Sequence, residues 1–378
     1  TRSLHGRRIL YLASIVSGRG GIPRYTRHQV RVLRTLVGPE NVRLLSLHPV
    51  DRSAMDDPVE ADYAGAGVGL ASKLRFVARA LGQARSWRPQ LVVANLISLA
   101  PVALAVRSLW DIPYLVNAYG HDIWGNRRAL DRFALTRADL VVPDCAFTRR
   151  YIEGHWRVPP ERLALLSDPV DTGYFVPLPP DQVQAARARW GLSRGSKVVL
   201  TVASMQFQYK GIDRVMQAMA LLGEQRLHYL IAGDGQDRAR LERLAAASGL
   251  DGRVRFLGRV SDADLRLLYN LCDLFVLVSR HGRDEGEGLP LVLLEAAACG
   301  KPVVAGSADG SAEGVVDGVT GYAVAPDDVP ALARRIATLL DGDRARVMGH
   351  AGRLRACQEF SLDRFRARQA QILMRVLR

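Results

Sequence analysis

Residues 285–306 read EGEGLPLVLLEAAACGKPVVAG, and the order of signals within them sets the fold class. Pro290 suits the first turn of a helix, and Gly300 followed by Pro302 marks its end. Leu291, Leu294 and Ala298 recur at helical spacing and give one apolar face. KPVVAG then reads as a short apolar strand of the kind buried on both sides in a parallel sheet. Glu295 stands inside the helix among alanines and leucines. An unpaired carboxylate there costs several kcal/mol, so Glu295 requires a salt bridge, solvent or a ligand.

The helix-then-strand pattern repeats along the chain. RILYLAS, NVRLLSL, LVVANL, PYLVNAY and LVVPD read as strands in the first half, separated by helical segments such as 23–37, 70–87 and 127–137. KVVLTVAS, LHYLIAGDG, VRFLGRV, LFVLVS, KPVVAG and GYAVAP follow in the second, with helices predicted at 211–223, 236–248, 262–271, 290–299 and 328–341. Such alternation requires a doubly wound α/β fold. At 378 residues the chain suits two such domains. The proline-rich DTGYFVPLPPDQ, residues 171–182, is the predicted seam. The expected domains are 1–172 and 173–360, with an amphipathic helix over 361–378 that can cap either domain.

Composition narrows the function classes. Hydrophobic residues make up 48% of the chain, which excludes a disordered protein. Cys145, Cys272, Cys299 and Cys357 are scattered, indicating neither a disulfide framework nor a zinc site and suiting a reducing cytoplasm. The apolar run near the N-terminus leads into a glycine loop, as a buried first strand does and a signal peptide does not. Leu91 to Leu109 is broken by Asn95, Ser98, Pro101 and Arg107, so no transmembrane segment is expected. Up to residue 170 there are 24 Lys and Arg against 14 Asp and Glu, and beyond it 28 against 24. The first half thus carries most of the net charge of +14, which suits an anionic substrate or membrane surface. Arginine-rich composition alone is the plainer explanation, and no nucleic-acid motif accompanies the charge.

Gly288 and the residues after it place backbone N–H groups at a helix start, a ready phosphate site. A carboxylate one turn further in can accept both hydroxyls of a ribose. Together these point to a nucleotide phosphate and its sugar. The stretch from Glu287 to Glu295 resembles the E-x7-E element of retaining GT-B glycosyltransferases, specifically glycosyltransferase family four. The resemblance continues through YKGIDRVMQAM, LIAGDGQDRARLERLA, VRFLGRVSDADLRLLYNLCDLFVLVS and GVVDGVTGYAVAPDD, and more loosely through GRGGIPRYTRHQV, NAYGHDIW and SDPVDTGYF. It implies two Rossmann-like domains facing a central cleft, the first for the acceptor and the second for the donor.

Carried over by position, the resemblance implies that Glu295 holds the donor ribose and Glu287 contacts the transferred hexose. Gly288 and Leu289 offer backbone donors near the diphosphate. Pro290, often glycine in the family, has no N–H to give. Lys210, placed at a helix start, neutralises the departing diphosphate, and the plainer alternative is a surface lysine at a helix start. The family pairs it with an arginine where this chain has Ser204, and Arg283 or Arg24 is at hand to compensate. Ser204 and Arg259 complete the predicted donor side of this half. Ser261 with Asp264 reads as a helix cap and not a metal motif, and metal-independent catalysis without a cofactor is expected.

In the first half, Gly18, Gly20 and Gly21 follow a strand, and Pro23 is the predicted helix start. The pattern is not G-x-G-x-x-G, so no dinucleotide fingerprint is present. The resemblance assigns Gly20 and Gly21 to the sugar diphosphate or the acceptor. Relatives carry a donor-contacting histidine where this chain has Tyr119, so either His121 or the Tyr119 hydroxyl is expected to serve, with Asp122 and Arg24 on the sugar or acceptor side. LASKLRFVARALGQARSWRPQ combines Lys73, Arg75, Arg79, Arg85 and Arg88 with Leu70, Leu74, Val77 and Leu81. It reads as a surface helix with that apolar stripe in the core, or as a basic helix lying on an anionic membrane.

The reading is a hexosyltransferase using a GDP- or UDP-linked donor and a hydroxyl-bearing, lipid-linked, glycan or small-molecule acceptor, with no nucleic acid partner. Two alternatives stand beside it. One is a GT-B nucleotide-sugar epimerase or sugar-phosphate enzyme, and the other a non-catalytic nucleotide-sugar-binding scaffold.

Overall fold

The computed structural model describes residues 4–18, 20–55, 58–125, 128–282 and 284–377, with the side chains of Ala54 and His121 outside the description. The chain divides into two compact units, Thr1–Pro169 with Asp363–Arg378, and Val170–Leu362.

The first unit runs β1 (Ile9–Ala13), α1 (Gly21–Val37), β2 (Val42–Ser46), β3 (Tyr63–Ala64), α2 (Leu70–Trp87), β4 (Leu91–Ala94), α3 (Ala100–Trp110), β5 (Tyr114–Ala118), α4 (His121–Trp124), α5 (Ala129–Thr136), β6 (Leu140–Pro143) and α6 (Ala146–Trp156). Its sheet is parallel, in the order β3-β2-β1-β4-β5-β6. The apolar runs are buried on both faces because side chains alternate along a strand. Leu10 and Leu12 of β1 enter one core with Phe76, Ala80 and Ala84 of α2. Ile9 and Tyr11 enter the opposite core with Val30 and Leu33 of α1.

The second unit runs α7 (Pro180–Arg189), β7 (Lys197–Val202), α8 (Ile212–Leu222), β8 (Leu227–Ala232), α9 (Arg238–Ala247), β9 (Val254–Gly258), α10 (Asp262–Leu271), β10 (Leu274–Leu277), α11 (Leu291–Ala298), β11 (Val303–Gly306), β12 (Gly321–Val324), α12 (Val329–Leu340) and α13 (Gly342–Glu359). Its strands lie in the order β12-β11-β10-β7-β8-β9, again parallel. Read from the other edge this is the same topology as the first sheet, the Rossmann order. The last helix, α14 (Leu362–Val376), belongs to the first unit. Its Phe365, Ile372 and Leu373 join the core of Ile9 and Tyr11, and Gln29 donates to Gln369 at 2.9 Å with both side chains buried.

Two expectations change in detail, and one strand was not foreseen. The glycine-loop helix starts at Gly21, two residues before Pro23. Strand β3 has only two residues, too short to leave a period in the sequence. Helix α2 buries Ser72, Phe76, Ala80 and Ala84, an i, i+4 stripe different from the predicted one. Of the predicted stripe, Leu70 and Leu74 face outward, 75% and 61% exposed, while Val77 and Leu81 are half-buried and Leu81 packs against the core.

Candidate active site

In the second unit the strand order reverses between β7 and β10, which are neighbours although two strands intervene in sequence. Ligands of open parallel sheets bind at such switch points, beyond the carboxyl ends of the strands. Lys210 lies in a single 3-10 turn after β7, just before α8 and not inside it. Gly211 closes that turn at φ +70°, and a Cβ there would meet the Val278 carbonyl oxygen at 2.1 Å. Only glycine fits both the angle and the approach. Arg280, just past β10, clamps the turn. Its N–H donates to the Tyr209 carbonyl at 2.7 Å, its guanidinium to the Gln208 carbonyl at 2.6 Å, and it lies 3.5 Å from the Asp213 carboxylate.

This anchoring brings the Lys210 ammonium onto the Glu287 carboxylate as an ion pair, each side chain 15% exposed. Burial disfavours the ammonium, but Glu287 and then the Tyr209 hydroxyl hold its pKa above the usual lysine range, and Nζ lies 4.7 Å from the centre of the Tyr209 ring. Burial and Glu287 raise the Tyr209 hydroxyl in turn. Asp309 Oδ2 accepts the Glu287 N–H at 2.8 Å, while Gly310 N–H donates to the Glu287 carbonyl at 3.1 Å.

Glu295 is 2% exposed, and its Oε2 accepts from the Tyr269 hydroxyl at 2.7 Å. The structure thus supplies a partner for the carboxylate inside α11, and leaves Glu295 less accessible than Glu287. Pro290 is the N-cap of α11 and not its first turn, preceded by buried Gly288 and Leu289. Ser204 is exposed after β7, with its Oγ 3.3 Å from the Gln206 N–H. Arg259 is exposed after the edge strand β9. Arg283 lies outside the described residues. Lys210, Glu287 and the helix start at Pro290 therefore gather around the switch point, whereas Arg259 follows the edge strand β9, three strands from β10.

In the first unit, the glycine loop follows β1 at the β1/β4 switch point. Gly18 takes φ +106°, Gly20 is the N-cap of α1 and Gly21 its first residue. Arg27 donates to the carbonyls of Val16 at 2.8 Å and Gly18 at 3.0 Å, fixing the loop from below. Half-buried Arg24 sits in the first turn, its N–H bonded to the Gly20 carbonyl at 3.2 Å. Tyr119 is buried edge-on against Tyr25, ring centroids 4.9 Å apart, and its hydroxyl has no hydrogen-bond partner among the described residues. Burial pushes that hydroxyl well above the usual tyrosine range. Asp122 binds backbone, accepting from Tyr119 N–H at 2.9 Å and Ile97 N–H at 3.4 Å, and burial pushes its carboxyl up to about 7. The His121 side chain lies outside the description.

The expected cap forms, with Ser261 accepting the Asp264 N–H at 3.1 Å and donating to its carboxylate at 2.9 Å. Among the described residues, no group of three or more His, Cys, Asp or Glu side chains is placed to hold a metal ion. No helix there is long and apolar enough to cross a membrane. Asp309, Tyr269, Arg280 and Arg27 escaped the sequence reading. Only Asp309, followed by Gly310, left a signal, that of an ordinary turn.

Residues 182–355 match the family model for glycosyl transferases group 1, and residues 20–168 that for a glycosyl transferase 4-like domain. A GDP-mannose-dependent alpha-(1-6)-phosphatidylinositol monomannoside mannosyltransferase from Mycolicibacterium smegmatis is 32% identical over 268 residues, covering 68% of this chain and 69% of its own. The chain belongs to the glycosyl transferases group 1 family. Solved structures at lower identity share the architecture. A glycosyltransferase from Rickettsia africae superposes with a TM-score of 0.84 at 18% identity, over 98% of this chain and 99% of its own. Anabaena HepE in complex with UDP-glucose gives 0.81 at 21%, over 97% and 99%. The two six-stranded parallel sheets with flanking helices are those of a GT-B glycosyltransferase.

Proposed function

We propose that this glycosyltransferase moves a hexose, with retention of configuration, from a GDP- or UDP-linked donor to a hydroxyl of a lipid-linked or glycan acceptor. The observation that carries the reading is the Lys210–Glu287 pair on the two loops flanking the β7/β10 switch point. Lys210, with the N–H groups opening α11, neutralises the leaving diphosphate, and Glu287 receives a hydrogen bond from the hexose. The acceptor oxygen bonds to the anomeric carbon on the face the diphosphate leaves, and the acceptor proton passes to a diphosphate oxygen. No side-chain nucleophile, protein-held metal or cofactor enters this sequence. Glu295 receives ribose hydroxyls beside the bond from Tyr269, since a carboxylate accepts several hydrogen bonds. The glycine loop and the Tyr119–Asp122 segment serve the sugar or acceptor side.

The mycobacterial relative named above acts on a phosphatidylinositol mannoside, which supports GDP-mannose as first donor and an anionic lipid as acceptor class. Helix α2 suits the same surface. Val68, Leu70 and Leu74 are exposed beside Lys73, Arg75 and Arg79, the combination that binds anionic bilayers at the interface. The test is a mass-spectrometric screen of GDP- and UDP-hexoses against lipid and glycan acceptors, with Glu287→Gln and Lys210→Ala as controls. Variants that turn over like the wild type contradict the site.

A further inference from the structure

Asp309 follows β11 and is buried. Its Oδ1 accepts the Ser311 N–H at 2.9 Å, which suffices to cap the short 3-10 turn Gly310–Gly314. Its Oδ2 does something a cap does not require. It reaches back 22 residues to the Glu287 N–H at 2.8 Å. The Gly310 N–H completes the grip at the Glu287 carbonyl, 3.1 Å away. The N–H and the C=O of one residue in an otherwise irregular loop are thus both held by two consecutive residues of a neighbouring turn.

We infer that Asp309 is the positioning residue of the catalytic loop, using both carboxylate oxygens to lock the Glu287 backbone so that its side chain meets Lys210. The inference rests on the reading that Glu287 contacts the transferred sugar. An asparagine at this place offers a single acceptor oxygen for two N–H donors, so the requirement is for a carboxylate and not merely a polar side chain.

The electrostatics agree. Burial, then the charge of Glu287, push the Asp309 carboxyl up to about 6. Glu287 faces it from the loop before α11, Tyr209 and the adjoining Lys210 from the turn after β7, and the Ser311 N–H from its own turn. Above about 6 both oxygens accept. Below it one oxygen carries a proton and the grip on one N–H is lost.

The experiment compares Asp309→Ala and Asp309→Asn with the full-length wild type by two readouts. Hydrogen exchange at the Glu287 amide is expected to rise about tenfold or more in Asp309→Ala, and less in Asp309→Asn, with the amides of β8 unchanged. Donor kcat/KM, measured with GDP-mannose from pH 5 to 8, is expected to fall about a hundredfold in Asp309→Ala, the scale of a small misplacement of a reacting group. The wild-type profile declines below about 6, and Asp309→Asn lacks that limb. Unchanged exchange at Glu287 overturns the inference, and so does lost activity without increased exchange, which places Asp309 on the substrate itself. A wild type that turns over no GDP-mannose counts against that donor, while the exchange readout still decides the role of Asp309. If Asp309→Ala does not fold, Asp309→Asn carries both readouts.

Discussion

Lys210 and Glu287 lie 77 residues apart in sequence and meet as an ion pair at the point where the second sheet reverses its strand order. Neither loop is free to place its charge elsewhere. Arg280 pins the Lys210 turn and Asp309 pins the Glu287 loop. Removing one partner leaves the other largely buried and uncompensated. Lys210→Ala and Glu287→Gln are each expected to destabilise the fold, and the double variant by less than their sum, with a coupling of about 1–3 kcal/mol in urea denaturation. Lys210→Ala is also expected to lower kcat by about 10²–10³, as loss of one donor to a developing anion does. A double variant whose effects simply add shows that the pair is not coupled.

Tyr269 supplies the hydroxyl that meets Glu295 inside α11. Tyr269→Phe keeps the ring packing against Phe175 and Phe275 and removes that bond to a buried carboxylate. Hydrogen bonds to charged groups contribute about 1.5–3 kcal/mol, and a loss of that size is expected in equilibrium unfolding. Because the same carboxylate is proposed to hold the ribose, donor KM should rise with little change in kcat. A variant as stable as the wild type removes Tyr269 as the partner of Glu295.

The carboxyls of Asp122 and Asp309 are pushed up to about 7 and about 6, both chiefly by burial. In the unfolded chain such groups titrate near about 3.9. Across the interval between, these two groups bind more protons in the native state than in the unfolded one, so their contribution to stability falls as pH rises from about 4 and levels off above about 7; Asp168, pushed well above the usual carboxylate range by burial, adds to the same fall. Asp122→Asn cannot ionise and is expected to flatten this slope while retaining one acceptor for the Tyr119 N–H. Urea midpoints at a series of pH values measure it, and an unchanged slope shows that Asp122 ionises normally.

Leu70 and Leu74 project from α2 beside its basic residues. Leu70→Ser with Leu74→Ser is expected to change stability by no more than about 0.5 kcal/mol, as exposed positions do. Co-sedimentation with phosphatidylserine vesicles at low salt should fall for the same variant. Binding that is absent from the wild type at low salt contradicts the membrane reading.

The sequence revealed the fold wherever burial left a period or a short apolar run. The strands from β1 to β12 were legible apart from β3, since parallel strands buried on both faces are nearly all apolar. Helices α3, α6 and α13 were not; α3 shares the broken apolar run Leu91 to Leu109 with a strand, and Pro101, read there only as an interruption, marks the helix start. The face of α2 was read only in its second half, because the buried residues Ser72, Ala80 and Ala84 carry little hydrophobic signal beside Leu70 and Leu74. In the site, Lys210 and Glu287 were recognisable from their neighbours in sequence. Asp309 and Tyr269 were not, since each acts through a contact made across many residues, and nothing beside them in the chain records it.

The proposed role of Lys210 and Glu287 is the donor end of a nucleotide-sugar transfer site. It is tested most directly by incubating the protein with GDP-mannose and UDP-glucose in the presence of phosphatidylinositol mannosides, and following both nucleotide release and product mass. The wild type is expected to form a product heavier by one hexose with equimolar nucleoside diphosphate, at a rate reduced by about two orders of magnitude or more in Glu287→Gln and Lys210→Ala. Transfer by either variant at the wild-type rate contradicts it.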